Sequence, residues 1–209
     1  MRNTFQQPDQ KKPLLKQFFK FLGSWAGAII IVIILHFTGL LSSISYFAQS
    51  AILRTGLMDA SSHALKESPE FIYDFKIKDL DGNKIDFTQF KNKVIFLNLW
   101  ATWCGPCRAE MPTIQKLYDK MADDPNVVFI MLSIDKDKDL PKVVRYLKDK
   151  GYTFGSFMPS GYLTEQINVP NIPTTFIISK AGKIIGKEVG TTNFDTKRFY
   201  KFLKAESAR

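Results

Sequence analysis

The chain has only two cysteines, Cys104 and Cys107, and both lie in the pentapeptide Trp-Cys-Gly-Pro-Cys. Two thiols at this spacing can form a disulfide with little backbone movement, and thiol exchange can open it again. The pair therefore predicts a redox centre. Half of a zinc site and a purely structural disulfide are the alternatives, but zinc needs two further ligands. The only histidines, His36 and His63, lie far upstream.

The cysteine pair is predicted to lie where a buried strand is followed by a helix. Residues 94–100 form a nearly unbroken apolar run, which is typical of a central strand covered on both faces. After Cys107, apolar residues recur at helical spacing: Met111, Ile114, Leu117, Tyr118 and Met121. The free N–H groups and partial positive charge of a helix N-terminus favour a thiolate. We expect Cys104 to gain most from them.

Residues 100–112 resemble the active-site segment of thioredoxin-fold proteins, in the membrane-tethered TlpA/ResA-like branch. The resemblance extends from about residue 71 to the C-terminus. It implies that Cys104 is the exposed nucleophile that exchanges with a partner's disulfide, and that Cys107 is the buried thiol that resolves the mixed disulfide. It also implies a helix bend at Pro112, because proline lacks the N–H that a helix interior uses.

A second match is the segment Ile172-Pro173-Thr174-Thr175-Phe176, which resembles the family's cis-proline loop. The resemblance implies a cis bond before Pro173, a form accessible almost only to proline, and a position against the cysteines. The backbone of Ile172 would then pair with an incoming chain in strand fashion. An ordinary loop proline is the alternative. The substrate-binding residues implied by the resemblance are Trp103, Gly105, Pro106, Ile172 and Pro173.

Glu110 matches the acidic residue that TlpA/ResA-like proteins carry three positions after the second cysteine. A carboxylate one turn beyond Cys107 could accept and return the proton of the resolving thiol. A solvated glutamate on the helix surface is the alternative. Asn98 departs from the pattern, because many thioredoxins carry a buried aspartate at this strand position and an amide cannot exchange protons. Proton transfer is therefore predicted to fall to Glu110.

An apolar segment near the N-terminus predicts a membrane anchor. Residues 21–53 contain no charged side chain, and residues 22–41 are long enough at ~1.5 Å per residue to cross a hydrocarbon core of ~30 Å. The first 20 residues carry five basic side chains and one acidic one. By the positive-inside rule, the N-terminus stays in the cytoplasm and the remainder lies outside it. A cleaved secretory signal, with small residues at Ala48 and Ser50, is the alternative.

The sequence thus predicts four parts. They are a cytoplasmic segment (1–20), a transmembrane anchor in the inner (cytoplasmic) membrane (21–43), a tether (44–70) and a thioredoxin-like domain (71–209). The last part has the usual size of one domain with one core.

The fold class is predicted as α/β, with a thioredoxin-like mixed sheet flanked by helices and preceded by an N-terminal β-hairpin and the transmembrane helix. The turn at residues 81–83, Asp-Gly-Asn, predicts that hairpin. The remaining predicted strands are 94–100, 127–134, 175–179 and 184–189, and the helices after the active-site helix are 140–150 and 195–205. The predicted core residues are Phe96, Phe129, Ile130, Phe176, Ile177 and Ile178.

The charge pattern argues against a nucleic-acid-binding protein. The net charge is +9, and the first 20 residues supply +4 of it, from five basic side chains and one acidic one. Residues 135–150 interleave lysine with aspartate, Asp135 included, which is typical of a solvated face. The sequence contains no phosphate loop and no cluster of metal-ligating residues, so no organic cofactor or metal is implied.

These features predict a membrane-tethered thiol–disulfide oxidoreductase facing the periplasm or its equivalent, with protein disulfides as substrates. The Gly105-Pro106 dipeptide is similar to that of reducing thioredoxins. The resemblance implies reduction of apocytochrome c or copper-site cysteines, and recharging by a membrane electron donor of the DsbD/CcdA kind.

Two other classes share this fold. A peroxiredoxin-like peroxidase needs a Pro-x-x-x-Thr-x-x-Cys segment, which is missing from the sequence. A copper-delivery protein of the Sco kind normally needs Cys-x-x-x-Cys and a distal histidine. Here the cysteine spacing is one residue shorter, and no histidine follows residue 71.

Overall fold

The computed structural model describes residues 23, 25–34, 40–53, 55–61 and 67–209. The chain divides into two compact units, residues 1–41 and 42–209. In the first unit, residues 25–34 are helical (α1). Among the described residues, no helix combines the length and the apolar character that a membrane span requires. The predicted anchor, residues 21–43, lies partly outside the described residues.

In the second unit, strands and helices alternate along most of the chain. The helices are α2 (Leu40–Leu53, which begins at the end of the first unit), α3 (Gly105–Met121), α4 (Leu140–Lys150) and α5 (Lys197–Ala208). The strands are β1 (Lys76–Asp79), β2 (Lys84–Asp86), β3 (Val94–Trp100), β4 (Val127–Ser133), β5 (Ser156–Pro159), β6 (Thr174–Ile178) and β7 (Ile184–Val189). Short 3-10 helices lie at Phe87–Phe90 and Asp137–Asp139.

The described strands form one seven-stranded sheet in the order β2-β1-β5-β4-β3-β6-β7. Strand β3 pairs in parallel with β4 and antiparallel with β6. The sheet is therefore mixed, which confirms the predicted α/β class. All seven residues of β3 are buried, as the apolar run predicts for a strand at the centre of a sheet.

The most regular sequence patterns predict element boundaries best. Strands β3 and β7 and helix α4 have the predicted bounds. Helix α4 ends at Gly151, whose φ of 69° is left-handed and whose N–H reaches the carbonyls of Leu147 and Lys148. The predicted β1–β2 hairpin is present, with pairs from Lys76–Asp86 to Lys78–Lys84. Helix α5 begins two residues later than expected, after Thr196, whose hydroxyl accepts the N–H of Phe199.

Strand β5 is absent from the sequence prediction. It has only four residues, and it pairs with β4 through Ser156 and Phe157 and with β1 through residues 157–159. A strand this short contains too few residues to show an alternating pattern, so its existence depends on partners distant in the sequence.

The two faces of the sheet carry separate hydrophobic cores. One contains residues of α3 and α5, among them Met111 and Phe199, packed on the side of Phe96 and Phe129. The other contains an aromatic group at the start of the domain, in which the rings of Phe75 and Phe87 stack at 4.3 Å. The six predicted core residues are each at most 4% exposed.

The described part of the predicted tether contacts the domain. Leu53 and Ala60 are buried. The N–H of Ala60 donates to the carbonyl of Asn193 at 3.0 Å, and the N–H of Asn193 donates to the carbonyl of Met58 at 2.6 Å. Residues 58–60 therefore add a short backbone bridge beside the segment that follows β7. Residues 62–66 of the predicted tether lie outside the described residues.

Candidate redox site

The cysteine pair lies at the junction of β3 and α3. Strand β3 ends at Trp100, and Cys104 is the N-cap residue of α3, which begins at Gly105. The N–H of Cys107 donates to Cys104 Sγ at 3.1 Å. Cys107 therefore lies in the first turn of the helix, two residues inside its start, and the sulfur of Cys104 is a cap for the helix.

The two sulfurs form a disulfide with an S–S distance of 2.06 Å and a Cα–Cα distance of 5.3 Å. Cys107 is fully buried, whereas Cys104 is 5% exposed. The remaining exposure of the pair thus belongs to Cys104, the residue that the family resemblance implies is the nucleophile. A partner has to approach through this small opening.

The proline loop lies directly beside Cys104. The Ile172-Pro173 peptide bond is cis, and the carbonyl oxygen of Ile172 is 3.9 Å from Cys104 Sγ. The register of β6 on β3 explains the proximity, because Thr174 pairs with Leu99 just before the cysteine loop. The structure therefore brings Ile172 and Pro173 to the cysteine pair, as the resemblance implies.

The three other predicted substrate-binding residues differ in exposure. Trp103 is 61% exposed and is a large apolar surface next to Cys104. Gly105 is buried and Pro106 is half-buried. The hydroxyl of Thr191, which follows β7, is 3.5 Å from the carbonyl oxygen of Pro106. A partner at this surface would therefore meet the indole of Trp103 before the peptide groups of the motif.

Glu110 is buried inside the domain, with 1% exposure, so the alternative of a solvated surface glutamate is wrong. Its carboxylate accepts the amide of Asn98 at 2.8 Å and the N–H of Thr192 at 3.0 Å. Burial raises the pKa of Glu110 from 4.5 to about 8, although both hydrogen bonds lower it. This pKa lies close to the ordinary value of a cysteine thiol, ~8.5.

Asn98 holds Glu110 in place. Its Nδ2 donates to Glu110 and, at 2.9 Å, to the hydroxyl of Thr175 on β6. Its Oδ1 has no hydrogen-bond partner among the described residues. The sequence shows that the amide of Asn98 cannot exchange protons. It does not show that this amide donates a hydrogen bond to Glu110. Only the packing of α3 on β3 brings the two side chains together.

Arg108 follows Cys107, and its guanidinium packs between two aromatic rings. It lies 5.6 Å from the ring centre of Tyr46 on α2 and 5.5 Å from that of Tyr146 on α4. Such contacts stabilise a cation over an aromatic face. The tyrosine from α2 therefore approaches the active-site helix directly after the second cysteine, a contact that the sequence does not reveal.

The exposure predicted for the side chain of Asp135 is wrong. The pattern of residues 135–150 predicts a solvated side chain, but Asp135 is only 6% exposed. Its carboxylate accepts the N–H of Thr102 at 2.8 Å and the hydroxyl of Thr102 at 2.7 Å. Alternating charges predict exposure only on average, and here the position two residues after the end of β4 places the side chain beside the cysteine loop.

Comparisons with known proteins identify relatives of this chain. Residues 66–202 match the family model described as Redoxin. The chain is 29% identical over 170 residues to the thioredoxin-like protein YneN of Bacillus subtilis, covering 81% of this chain and 92% of YneN. It is 33% identical over 126 residues to the thiol-disulfide oxidoreductase ResA of Bacillus cereus, covering 60% of this chain and 69% of ResA.

Solved structures show the same fold. A crystal structure of a thiol:disulfide interchange protein of the thioredoxin family from Chlorobium tepidum matches with a TM-score of 0.53 and 25% identity, covering 68% of this chain and 99% of that one. The domain therefore has the thioredoxin-like α/β arrangement of a mixed sheet with flanking helices.

The raised pKa of Glu110 predicts a pH dependence of stability. Between pH 4.5 and about 8 the folded protein holds a proton that the unfolded chain releases. The stabilisation is therefore complete below pH 4.5 and is lost as the pH rises through the folded pKa, with a slope of up to about 1.4 kcal/mol per pH unit. Urea denaturation at a series of pH values should show this decrease, and Glu110→Gln should remove it.

Glu165→Gln, a change at an exposed glutamate, is the matched control and should leave the slope as in the wild type. A Glu110→Gln protein whose stability still falls with the wild-type slope would show that another group carries the titration.

Proposed function

Because the chain belongs to the TlpA/ResA-like, thioredoxin-fold family of protein-disulfide oxidoreductases, we propose that it reduces the disulfides of partner proteins from a membrane anchor, outside the cytoplasm. One observation carries the proposed reaction. The Cys104–Cys107 pair caps the N-terminus of α3 beside the Ile172 carbonyl, with its remaining exposure at Cys104.

The proposed reaction begins from the dithiol form. The Cys104 thiolate attacks one sulfur of the partner's disulfide, so that a mixed disulfide forms and the other partner sulfur leaves as a thiolate that takes up a proton. The Cys107 thiolate then attacks Cys104 Sγ. The partner's second thiol is released, the Cys104–Cys107 disulfide forms, and two electrons have passed to the partner. The helix N-terminus stabilises the Cys104 thiolate before the first step.

The second step requires removal of the Cys107 proton inside the domain. Glu110 lies one turn further along α3, is inaccessible to solvent, and has a pKa of about 8. A carboxyl group with this pKa is present in both protonation states near pH 8, so it can accept the thiol proton and return it. Asn98 and Thr192 keep the carboxylate in one orientation during this exchange.

Partner recognition is assigned to the surface around Cys104. The exposed indole of Trp103 offers apolar contact area. An extended partner segment can lie along Ile172 and form strand-type backbone hydrogen bonds there. Backbone pairing selects little for sequence, so the proposed substrates are protein disulfides as a class, among them apocytochrome c or copper-site cysteines in cytochrome c biogenesis.

The reducing direction is supported by the Gly105-Pro106 dipeptide, which is similar to that of reducing thioredoxins. Each turnover leaves the pair oxidised, so a reductant must restore the dithiol. We assign this to a membrane electron donor of the DsbD/CcdA kind. The proposed anchor, residues 21–43, would insert in the lipid bilayer of the inner membrane and keep the domain close to such a donor on the periplasmic or extracytoplasmic side.

Replacing the resolving thiol should trap substrates. In Cys107→Ser the mixed disulfide at Cys104 cannot be resolved, so adducts should accumulate in cells and appear on non-reducing gels as bands that dithiothreitol removes. Cys104→Ser is the matched control and should form none of them. Adducts that depend on Cys107 instead would reverse the assigned roles.

The reduction potential should distinguish the direction. We expect a value of about −250 mV or lower, near the thioredoxin range, from equilibration with glutathione or dithiothreitol. A value of about −120 mV, the range of a strong oxidant, would contradict the reducing role.

The location can be tested on spheroplasts with a membrane-impermeant maleimide applied after mild reduction. Cys104 should be labelled while the inner membrane is intact, whereas a cytoplasmic thiol protein in the same cells should not be. Labelling that appears only after the membrane is opened would contradict an extracytoplasmic domain.

A carbonate wash separates a retained anchor from a cleaved signal. An anchored protein should stay in the washed membranes, and removal of residues 1–43 should release it.

A further inference from the structure

The carboxylate of Asp135 accepts three hydrogen bonds next to the cysteine loop. The donors are the N–H of Thr102 at 2.8 Å, the hydroxyl of Thr102 at 2.7 Å and the hydroxyl of Ser133 at 2.7 Å. Asp135 is 6% exposed and Ser133 is fully buried. Hydrogen bonds to an ionised carboxylate are about twice as strong as those between neutral groups, so this is a firm attachment.

The sheet explains why Asp135 meets Thr102. Strands β3 and β4 run in parallel, with Trp100 opposite Ser133 as the last pair. The N–H of Ile134 donates to the carbonyl of Trp100 at 2.9 Å, which extends the pairing one step beyond the strands. Asp135 is the next residue, and the side chain of this residue reaches across to the loop that leaves β3.

The attached loop is the one that delivers Cys104 to the helix N-terminus. It contains only residues 101–103, and the N–H of Cys104 turns back to the carbonyl of Ala101 at 3.1 Å. Thr102 is the middle residue of this loop. Fixing both its N–H and its hydroxyl therefore leaves the backbone on either side, at Ala101 and Trp103, little freedom to move relative to β4.

The attachment relies on hydrogen bonds alone. In the part of the chain that the structure describes, no cationic side chain forms an ion pair with Asp135, whereas exposed Asp137 pairs with Lys78 at 2.9 Å. A buried carboxylate held only by donors is sensitive to their loss, and its removal leaves the polar groups of Thr102 without their partner.

We propose that Asp135 is a positioning residue for Cys104: by binding Thr102 it holds the cysteine loop against the end of β4 and keeps the Cys104 sulfur in place for exchange. This inference rests on the proposed function, because it names a further residue on which the same redox site depends. Asp135 acts through Thr102 and has no direct contact with the sulfur in the structure.

Loss of this attachment should alter the redox equilibrium in one direction. A more mobile loop lowers the effective concentration of the Cys104 sulfur at Cys107, which disfavours the disulfide. This effect favours the dithiol form, whereas a general loss of stability would weaken both redox forms alike.

The test uses the full chain with Asp135→Ala and the volume-conserving Asp135→Asn. For both variants we expect the equilibrium with glutathione to shift toward the dithiol by about threefold or more, and insulin-disulfide reduction to slow by about tenfold. Urea denaturation identifies the variants that remain folded. Thr102→Val, which keeps the backbone N–H and loses the hydroxyl, should show a smaller shift in the same direction.

Two controls separate positioning from other effects. Thr102→Ser keeps both donors and should behave as the wild type. Asp137→Asn removes the same charge two residues further along and should leave the equilibrium unchanged, because Asp137 has no contact with the loop.

A folded Asp135→Asn protein with the wild-type equilibrium and rate would overturn the proposal, and so would an equal shift in Asp137→Asn. If Asp135→Ala does not fold, Asp135→Asn and Thr102→Val decide the matter. If the wild type itself fails to reduce insulin, the proposed function is contradicted, but the glutathione equilibrium still tests the role of Asp135.

Discussion

Strand β3 pairs with β4 on one side and with β6 on the other, and this double pairing sets the position of every group in the redox site. The end of β3 delivers the cysteine loop. The end of β4 supplies Asp135 to hold it, and the start of β6 supplies the cis-proline loop that faces Cys104. Since all of β3 is buried and the strand is paired on both sides, a slip would break both sets of backbone hydrogen bonds and the packing of both cores. The loop that carries the Cys104 sulfur therefore starts from a strand of fixed register.

Two buried carboxylates lie close to the cysteine pair in the sequence or in space, and their hydrogen-bond donors differ. Glu110 accepts two hydrogen bonds, and burial outweighs them, so that its pKa rises to about 8. Asp135 accepts three, two of them from hydroxyl groups, and these bonds attach the cysteine loop to the segment that follows β4.

The described helix α2 adds a further set of contacts around the site. Tyr46 covers the guanidinium of Arg108, and the Gln49 side chain contacts the hydroxyl of Thr191, which in turn lies 3.5 Å from the carbonyl of Pro106. Residues ahead of the thioredoxin-like domain therefore take part in the surroundings of the Cys-Gly-Pro-Cys motif. In the proposed function, this helix lies between the anchor and the active site in the sequence.

The redox chemistry and most of the fold are readable from local sequence. The cysteine spacing, the apolar run of β3 and the glycine after α4 each act through neighbouring residues, which is why those elements and the cysteine pair could be predicted. The cis-proline loop at Ile172-Pro173 is implied by the family resemblance. Contacts between distant segments are different, because side-chain identity does not show which partner the fold will supply. Strand β5, the Asn98–Glu110 pair and the burial of Asp135 all depend on strand register and helix packing. The alternating charges of residues 135–150 predict exposure, but Asp135 is buried because it lies just beyond the end of the parallel β3–β4 pair. The sequence by itself determined the cysteine pair and its place between a buried strand and a helix. The tertiary structure alone decided which buried groups surround that pair, because hydrogen-bond partners far apart in the chain meet only when the sheet forms.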